Sequence, residues 1–505
     1  MKRASSIAIG KISIKVFNIV FSSAFLLILF NVIFNQQIYS YNTFIMILLI
    51  AVFSALIVLF GYCFYDNQEV LRNHYSKIAL TAALFLFLIQ MLLLPLLRFD
   101  PIFDLEAIYR GAIELAEGRS FADYTSNTCH TDYFYIFPNN LGSMTFLAVI
   151  FKAAGILGIR DYFVVASVVN SLMSVATMLL TAHVSKKLFN VTGGLTALLL
   201  FLLSPPFYFL APVFYTDSLS LIFPVAAFAA FLKAGEKSKP IHKALWYSVC
   251  ALACSLGALI KMTVLIFAIA AAIYLLLNRK WKDIALFGAI TVTVIAVSFS
   301  AFNSWIYSSE LNRDKADQTN TPVYYWIDLA FHPNGGYNDN IYQLSRGESD
   351  PELRKEILKN DIKDGIEALG IGGIYELFEN KSARAFGDGT YALSDFLDDR
   401  PVNSGSLHQI ITYNGKNYDV YSVVSTSVFL AIQILMIISS LINQQDRRIF
   451  IAHLSVFGIM LFLLFWEVNS RYITNLIPFI FISAAGGLCG IVTSLENKLD
   501  RSNKL

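Results

Sequence analysis

Apolar runs of about twenty residues recur along this 505-residue sequence, and a run of that length is long enough to cross the hydrocarbon core of a bilayer as a helix. They fall at 14–34, 43–65, 78–97, 162–184, 193–210, 212–232, 244–260, 261–277, 284–307, 422–442, 449–466 and 472–493. Inside lipid every backbone N–H and C=O needs a partner within the protein, so runs of this kind are read as helices. The expected fold class is an all-α polytopic membrane protein, a bundle of about 12 transmembrane helices.

Composition agrees. Hydrophobic residues make up 56% of the chain and charged residues 15%, against roughly half and a quarter in an ordinary globular protein. A net charge of +2 gives no footprint for nucleic acid, and the lipid bilayer is the expected surrounding. The run behind Lys2, Arg3, Lys11 and Lys15 is long and carries no small-residue cleavage site, so it is read as a retained first span. Cys63, Cys250, Cys254 and Cys489 lie in or beside apolar runs and Cys129 in a connecting segment, which is no disulfide framework.

One further apolar stretch, 141–158, makes the topology ambiguous until charge is considered. Basic clusters at 72–77, 185–187, 233–243, 279–282 and 446–448 share one side only if 141–158 does not cross. By the positive-inside rule that side is cytoplasmic, and 141–158 becomes an amphipathic or re-entrant segment lying along the outer face. The chain then divides into three spans (1–97), a first outer loop with an acidic segment and that juxtamembrane segment (98–161), six or seven further helices (162–307), a long outer loop (308–421) and three C-terminal spans with a cytoplasmic tail (422–505). Expected localisation is the plasma membrane, multi-pass, with any active site on the extracytoplasmic side. Within the long loop, Asp350 as N-cap with Pro351 behind it and apolar residues at Leu353, Ile357, Ile362, Ile366 and Leu369 predict a surface helix.

Ionisable residues at the outer ends of spans are where chemistry is expected, because each is costly at membrane depth. Four places stand out: Asp100, Asp104 and Glu106 with Tyr109 and Arg110; Asp217 in APVFYTD; Lys261 in GALIKMT; and Glu467, Arg471 and Tyr472 in WEVNSRY. Carboxylates suit the removal of a hydroxyl proton or the holding of a divalent cation, whereas Lys and Arg suit a phosphate at headgroup depth. A lipid phosphate fits that combination. Each residue also has a plainer reading: Lys261 snorkels, Arg471 and Glu467 pair at i,i+4, and Asp217 and Asp104 cap helices. His130 beside Cys129 is a weak metal pair, and His332 and His408 show no ligand spacing. The aromatics of VYYWIDLAF (323–331) serve either as stacking surfaces for a sugar or as interfacial anchors.

Taken in order, FDLEAIYRGAIELAEG (103–118), YIFPNNLGSMTFLAVIFKAAGILG (135–158), SPPFYFLAPVFYTDSL (204–219), SLGALIKMTVLI (255–266) and WEVNSRYITNLIP (466–478) resemble the membrane-embedded GT-C glycosyltransferases. The likeness is to the family 39-like branch with the protein O-mannosyltransferases and the lipid A aminoarabinose transferase. It departs from that pattern in setting Leu105 between its two acids and in carrying two additional spans before the acidic loop. The resemblance implies an inverting transfer of a sugar from a polyprenyl-phosphate donor to a hydroxyl of a glycan, glycopolymer or glycolipid. Asp104 is implied as general base, with Glu106 as a second catalytic acid, and Lys261 and Arg471 as ligands of the leaving lipid phosphate. Tyr472 is implied as a further donor to it, and Asp217 and Glu467 as substrate-orienting groups. No cofactor is implied beyond a divalent cation that these carboxylates suit. The alternatives are a transporter or flippase of lipid-linked sugars and a polysaccharide ligase.

Overall fold

The computed structural model describes residues 2–35, 42–122, 132–442 and 447–502; Cys129 and His130 lie outside them. The described residues form helices and short 3-10 turns, with one isolated antiparallel bridge between Phe99 and Pro401. The chain is an all-α polytopic membrane protein. Ten helices are long and apolar enough to cross a bilayer, and they coincide with ten of the twelve expected runs.

The other two expected spans are shorter apolar helices, Val191–Leu203 and Met262–Leu277. The first holds 13 residues, a rise of about 20 Å against a hydrocarbon thickness of roughly 30 Å. It ends because Pro205 and Pro206 follow Ser204, which is extended, and proline donates no backbone hydrogen bond and disfavours a helical residue before it. The interruption strands carbonyl groups in the bundle interior. The buried Asn170 amide meets those of Leu210, Ala211 and Val213 at 2.8, 3.2 and 3.0 Å, and Gln90 donates to that of Phe207 at 2.5 Å. Irregular backbone is thereby satisfied at depth.

Contacts among the basic clusters gather them at one end. Lys186 lies 3.8 Å from the centre of the Tyr75 ring, Lys187 pairs with Glu236 at 2.8 Å, and Lys243 pairs with Asp283 at 2.8 Å. Neither end of the helix Leu141–Ile156 approaches this group: Gly142 packs against the Leu259 carbonyl, and just past its far end Asp161 pairs with Arg98 at 2.6 Å. Both of those partners lie at the opposite end of the bundle.

At that opposite end the two long connections interlock. The Asp100 N–H donates to Arg400 at 3.0 Å and the Val402 N–H to Arg98 at 2.8 Å, while Lys315 pairs with Asp132 at 2.7 Å. Asp350 caps the helix Pro351–Phe386 by accepting from the Glu352 and Leu353 N–H groups. That helix outruns the expected 350–369 because Gly370, at φ +59°, kinks it without ending it; only glycine takes that conformation with ψ −177° at little cost.

Small residues let membrane helices approach closely. A Cβ at Gly142 would stand 1.8 Å from the Leu259 carbonyl oxygen, two residues before Lys261. Gly142→Ala therefore forces the two helices apart, and a loss of about 1–3 kcal/mol is expected, read as a lowered unfolding midpoint of the detergent-solubilised protein.

Candidate active site at the acidic end of the bundle

Asp104 sits in the first turn of the helix Phe103–Ala116. Its two carboxylate oxygens accept from two tyrosine hydroxyls: Tyr133 at 2.6 Å and Tyr215 at 2.9 Å. Tyr133 is held in turn by the Asn140 amide at 2.6 Å. Each oxygen keeps a lone pair after accepting one hydrogen bond, so the carboxylate is oriented and still able to take a proton.

Tyr215 links that acid to the cations. Its hydroxyl is on Asp104, while the Arg471 guanidinium lies 5.2 Å from the centre of its ring. Two residues on, in the short helix Thr216–Leu219, Asp217 accepts a hydrogen bond from the Lys261 ammonium through one oxygen and faces Arg471 Nε at 3.6 Å with the other. Lys261 occupies an extended residue between two helices, at φ −152°, and its ammonium lies 4.7 Å from the centre of the Tyr472 ring. Phe396 and Tyr472 flank the Arg471 guanidinium at 5.2 and 5.4 Å. Such aromatic faces favour a desolvated cation.

Arg471 and Tyr472 ride on the 3-10 helix Ser470–Leu476, whose first turn Asn469 caps by accepting from the Arg471 N–H at 3.1 Å. The tight loop 387–392 anchors this helix. Its Asp388 accepts from the Ser470 hydroxyl at 2.6 Å and from the Thr390 N–H at 2.8 Å, holding Tyr391 and Ala392 at φ +55° and +49°. Asp395 completes the Arg471 surroundings: it lies 3.8 Å from Nη1 and accepts from Asn469 at 3.1 Å and from the Tyr413 hydroxyl at 2.9 Å.

The residues picked out from sequence thus separate. Asp104, Asp217, Lys261, Arg471 and Tyr472 converge, joined through Tyr215. Glu467 stands beside them. Burial pushes its carboxyl above the usual carboxylate range, opposed by the Arg471 charge and by a hydrogen bond with Tyr472. Glu106 is buried two residues past Asp104, and a step of two turns a helical side chain to a different face. Asp100 is an exposed partner of Arg110 at 3.3 Å, and Tyr109 packs among Phe151, Phe163 and Phe214. Asp217 is no N-cap, because Tyr215 holds that position. The i,i+4 reading of Glu467 and Arg471 fails as a helical pair, since the 3-10 helix begins only at Ser470. Tyr133, Tyr215 and Asp395 escape sequence reasoning; the one available signal is that Tyr215 shares a turn with Asp217. His332 is not isolated, for the fold sets it beside Asp328 and Asp361.

Of the aromatics at 323–331, Trp326 stacks on Trp466 at 5.5 Å and 7°, and Tyr325 is buried. Lys381, itself buried, joins this segment to the site by donating to the carbonyls of Ala330, Leu464 and Trp466 at 3.1, 2.9 and 2.9 Å. Lys381→Met leaves three carbonyls, one buried and two part-buried, without that donor, and stability is expected to fall by about 1–3 kcal/mol, measured as a shift in thermal unfolding.

Asp217 Oδ2 and Arg471 Nε are both sealed from solvent and face each other as an ion pair at 3.6 Å, longer than a hydrogen bond. A family model described as "Conserved hypothetical integral membrane protein" matches residues 4–487. No curated protein matches the chain. Among solved structures, the archaeal oligosaccharyltransferase AglB from Archaeoglobus fulgidus, in complex with an inhibitory peptide and a dolichol-phosphate, is similar with a TM-score of 0.47 and 13% identity. The similarity covers 86% of this chain and 52% of that one, so the chain spans about half the length of that protein.

Proposed function

We propose a function from this premise: the chain belongs to the conserved hypothetical integral membrane protein family, and its polar site is that of a glycosyltransferase using a lipid-phosphate-linked sugar. The single observation that carries the reading is the arrangement of one oriented carboxylate, Asp104, and two partly buried cations, Lys261 and Arg471, at the end of the bundle away from the basic clusters. The site then faces the extracytoplasmic side of the plasma membrane, following the positive-inside rule.

In the proposed reaction a hydroxyl of a glycan, glycopolymer or glycolipid acceptor attacks the anomeric carbon of a sugar carried on polyprenyl phosphate. As the new C–O bond forms, the hydroxyl proton passes to Asp104, and the bond between the anomeric carbon and the phosphate oxygen breaks with inversion. The departing lipid phosphate gains charge, which Lys261 and Arg471 neutralise. A preorganised contact of this sort contributes roughly 3–4 kcal/mol to the transition state. Asp217 keeps both cations in position, Tyr215 spans the distance between base and cation, and Tyr472 lies against both Lys261 and Arg471. Glu467, its carboxyl pushed up by burial, donates to sugar or phosphate when protonated. Glu106 is left with a supporting role within the acidic helix.

The test is direct. Purified protein in lipid vesicles, given radiolabelled polyprenyl-phosphate sugar and a cell-envelope glycan fraction, is expected to move label from lipid to glycan. Label carried across the vesicle membrane with its lipid bond intact would instead establish the transporter.

A further inference from the structure

A second group of side chains, away from the converged site, is built like a ligand set. Asp328 lies in the last turn of the helix Val323–Ala330, His332 follows just beyond it, and Asp361 belongs to the long helix Pro351–Phe386. His332 Nε2 stands 2.9 Å from an Asp361 oxygen and 3.1 Å from an Asp328 oxygen, and the three ligand atoms lie within 4.8 Å of one another. One ring nitrogen carries at most one proton, so a neutral imidazole makes a full hydrogen bond to only one of these carboxylates. The Asp328 side chain is 0% exposed. Its second oxygen is sealed without a hydrogen-bond partner, so a fully buried carboxylate is left half satisfied within the cluster.

We propose that Asp328, His332 and Asp361 bind a divalent transition-metal cation of the Zn²⁺ or Mn²⁺ class. One imidazole nitrogen with two carboxylates matches the ligand preference of such ions. Tetrahedral bonds of about 2.0–2.2 Å place ligand atoms roughly 3.3 Å apart, close to the spacing of the histidine nitrogen from either oxygen. The cation neutralises the paired negative charges and occupies the space that both carboxylates address. His332 and Asp361 keep 23% and 33% of their side chains exposed, which provides an entry path and a position for water.

The site's neighbours indicate what the ion does. The Glu467 N–H donates to Trp326 at 3.1 Å and the Val468 N–H to Gly335 at 2.8 Å, so residues 326–335 form one wall of the segment that leads to Arg471. The ion clamps that wall to the helix Pro351–Phe386. It touches no reacting atom, and the proposal stands whether or not the chain transfers sugar.

The experiment uses the full chain in detergent, stripped with a chelator, dialysed, then titrated with Zn²⁺ alone, with bound metal counted by mass spectrometry. His332→Ala and Asp361→Asn are each expected to lose one equivalent, or to bind it at least tenfold more weakly. Asp104→Asn and Asp217→Asn are expected to keep it, which separates this site from any metal at the converged acids. X-ray absorption at the zinc edge of the wild-type protein is expected to show one imidazole nitrogen with oxygen neighbours, a readout independent of whether the variants fold. Wild-type protein that binds neither Zn²⁺ nor Mn²⁺, variants that bind as the parent does, or an absorption spectrum lacking imidazole would each overturn the proposal. In the first case the cluster is no more than an imidazole within hydrogen-bond distance of two carboxylates.

Discussion

Asp104→Asn is expected to lower the rate of sugar transfer between about 100- and 10,000-fold, the range that a positioned general base supplies, while donor affinity changes by no more than a few-fold. Asparagine has nearly the same shape, so the helix Phe103–Ala116 and the two tyrosines lose little packing. Its amide nitrogen donates where the carboxylate accepted, and the Tyr215 hydroxyl can rotate to receive it. The acceptor hydroxyl, however, has lost the group that takes its proton. Single-turnover rates and donor binding measured on the same preparation separate these consequences. Full turnover by Asp104→Asn removes the residue as base. A collapse of donor binding of equal size assigns it to the donor instead.

How much of this was legible in the sequence follows from the range of each signal. Hydropathy is local, and it placed the bundle wherever a helix stays continuous; it overran at 193–210 because the paired prolines 205 and 206 sit inside an apolar window that averages over them. The charged residues at span ends stood out because charge is scarce in such a chain, so Asp104, Asp217, Lys261 and Arg471 were all visible. What was hidden is their pairing. Arg471 meets Asp217 and Asp395, residues far from it in sequence, and no periodicity encodes a contact of that kind. The helical spacing rule pointed to Glu467, and it failed because Ser470–Leu476 is a 3-10 turn that starts after Glu467. Tyr133 and Tyr215 carry no charge and are two among 25 tyrosines, so nothing marked them until the fold put their hydroxyls on one carboxylate. His332 was dismissed on spacing along the chain, yet one of its two carboxylates arrives from a separate helix.

The second large effect is expected at Arg471. Arg471→Ala should lower kcat/KM for the lipid-linked donor by about 100- to 1,000-fold, the loss seen when one preorganised charge-stabilising contact is removed. A structural objection must be met first, since deleting one member of a buried ion pair ordinarily destabilises a protein by about 3–5 kcal/mol through the charge left behind. Here the charges left behind retain partners: Asp217 keeps the Lys261 ammonium, and Asp395 keeps the Asn469 amide at 3.1 Å and the Tyr413 hydroxyl at 2.9 Å. The fold is therefore expected to survive, with an unfolding midpoint close to that of the parent. Arg471→Lys retains a point charge but not the two-pronged geometry that a phosphate accepts, so it should recover part of the loss. Measuring donor affinity, turnover and unfolding on all three proteins decides between roles. Weak donor binding at an unchanged midpoint, partly rescued by lysine, marks Arg471 as a phosphate ligand, whereas a lowered midpoint with intact kcat/KM marks it as a structural cation and leaves Lys261 alone to meet the phosphate.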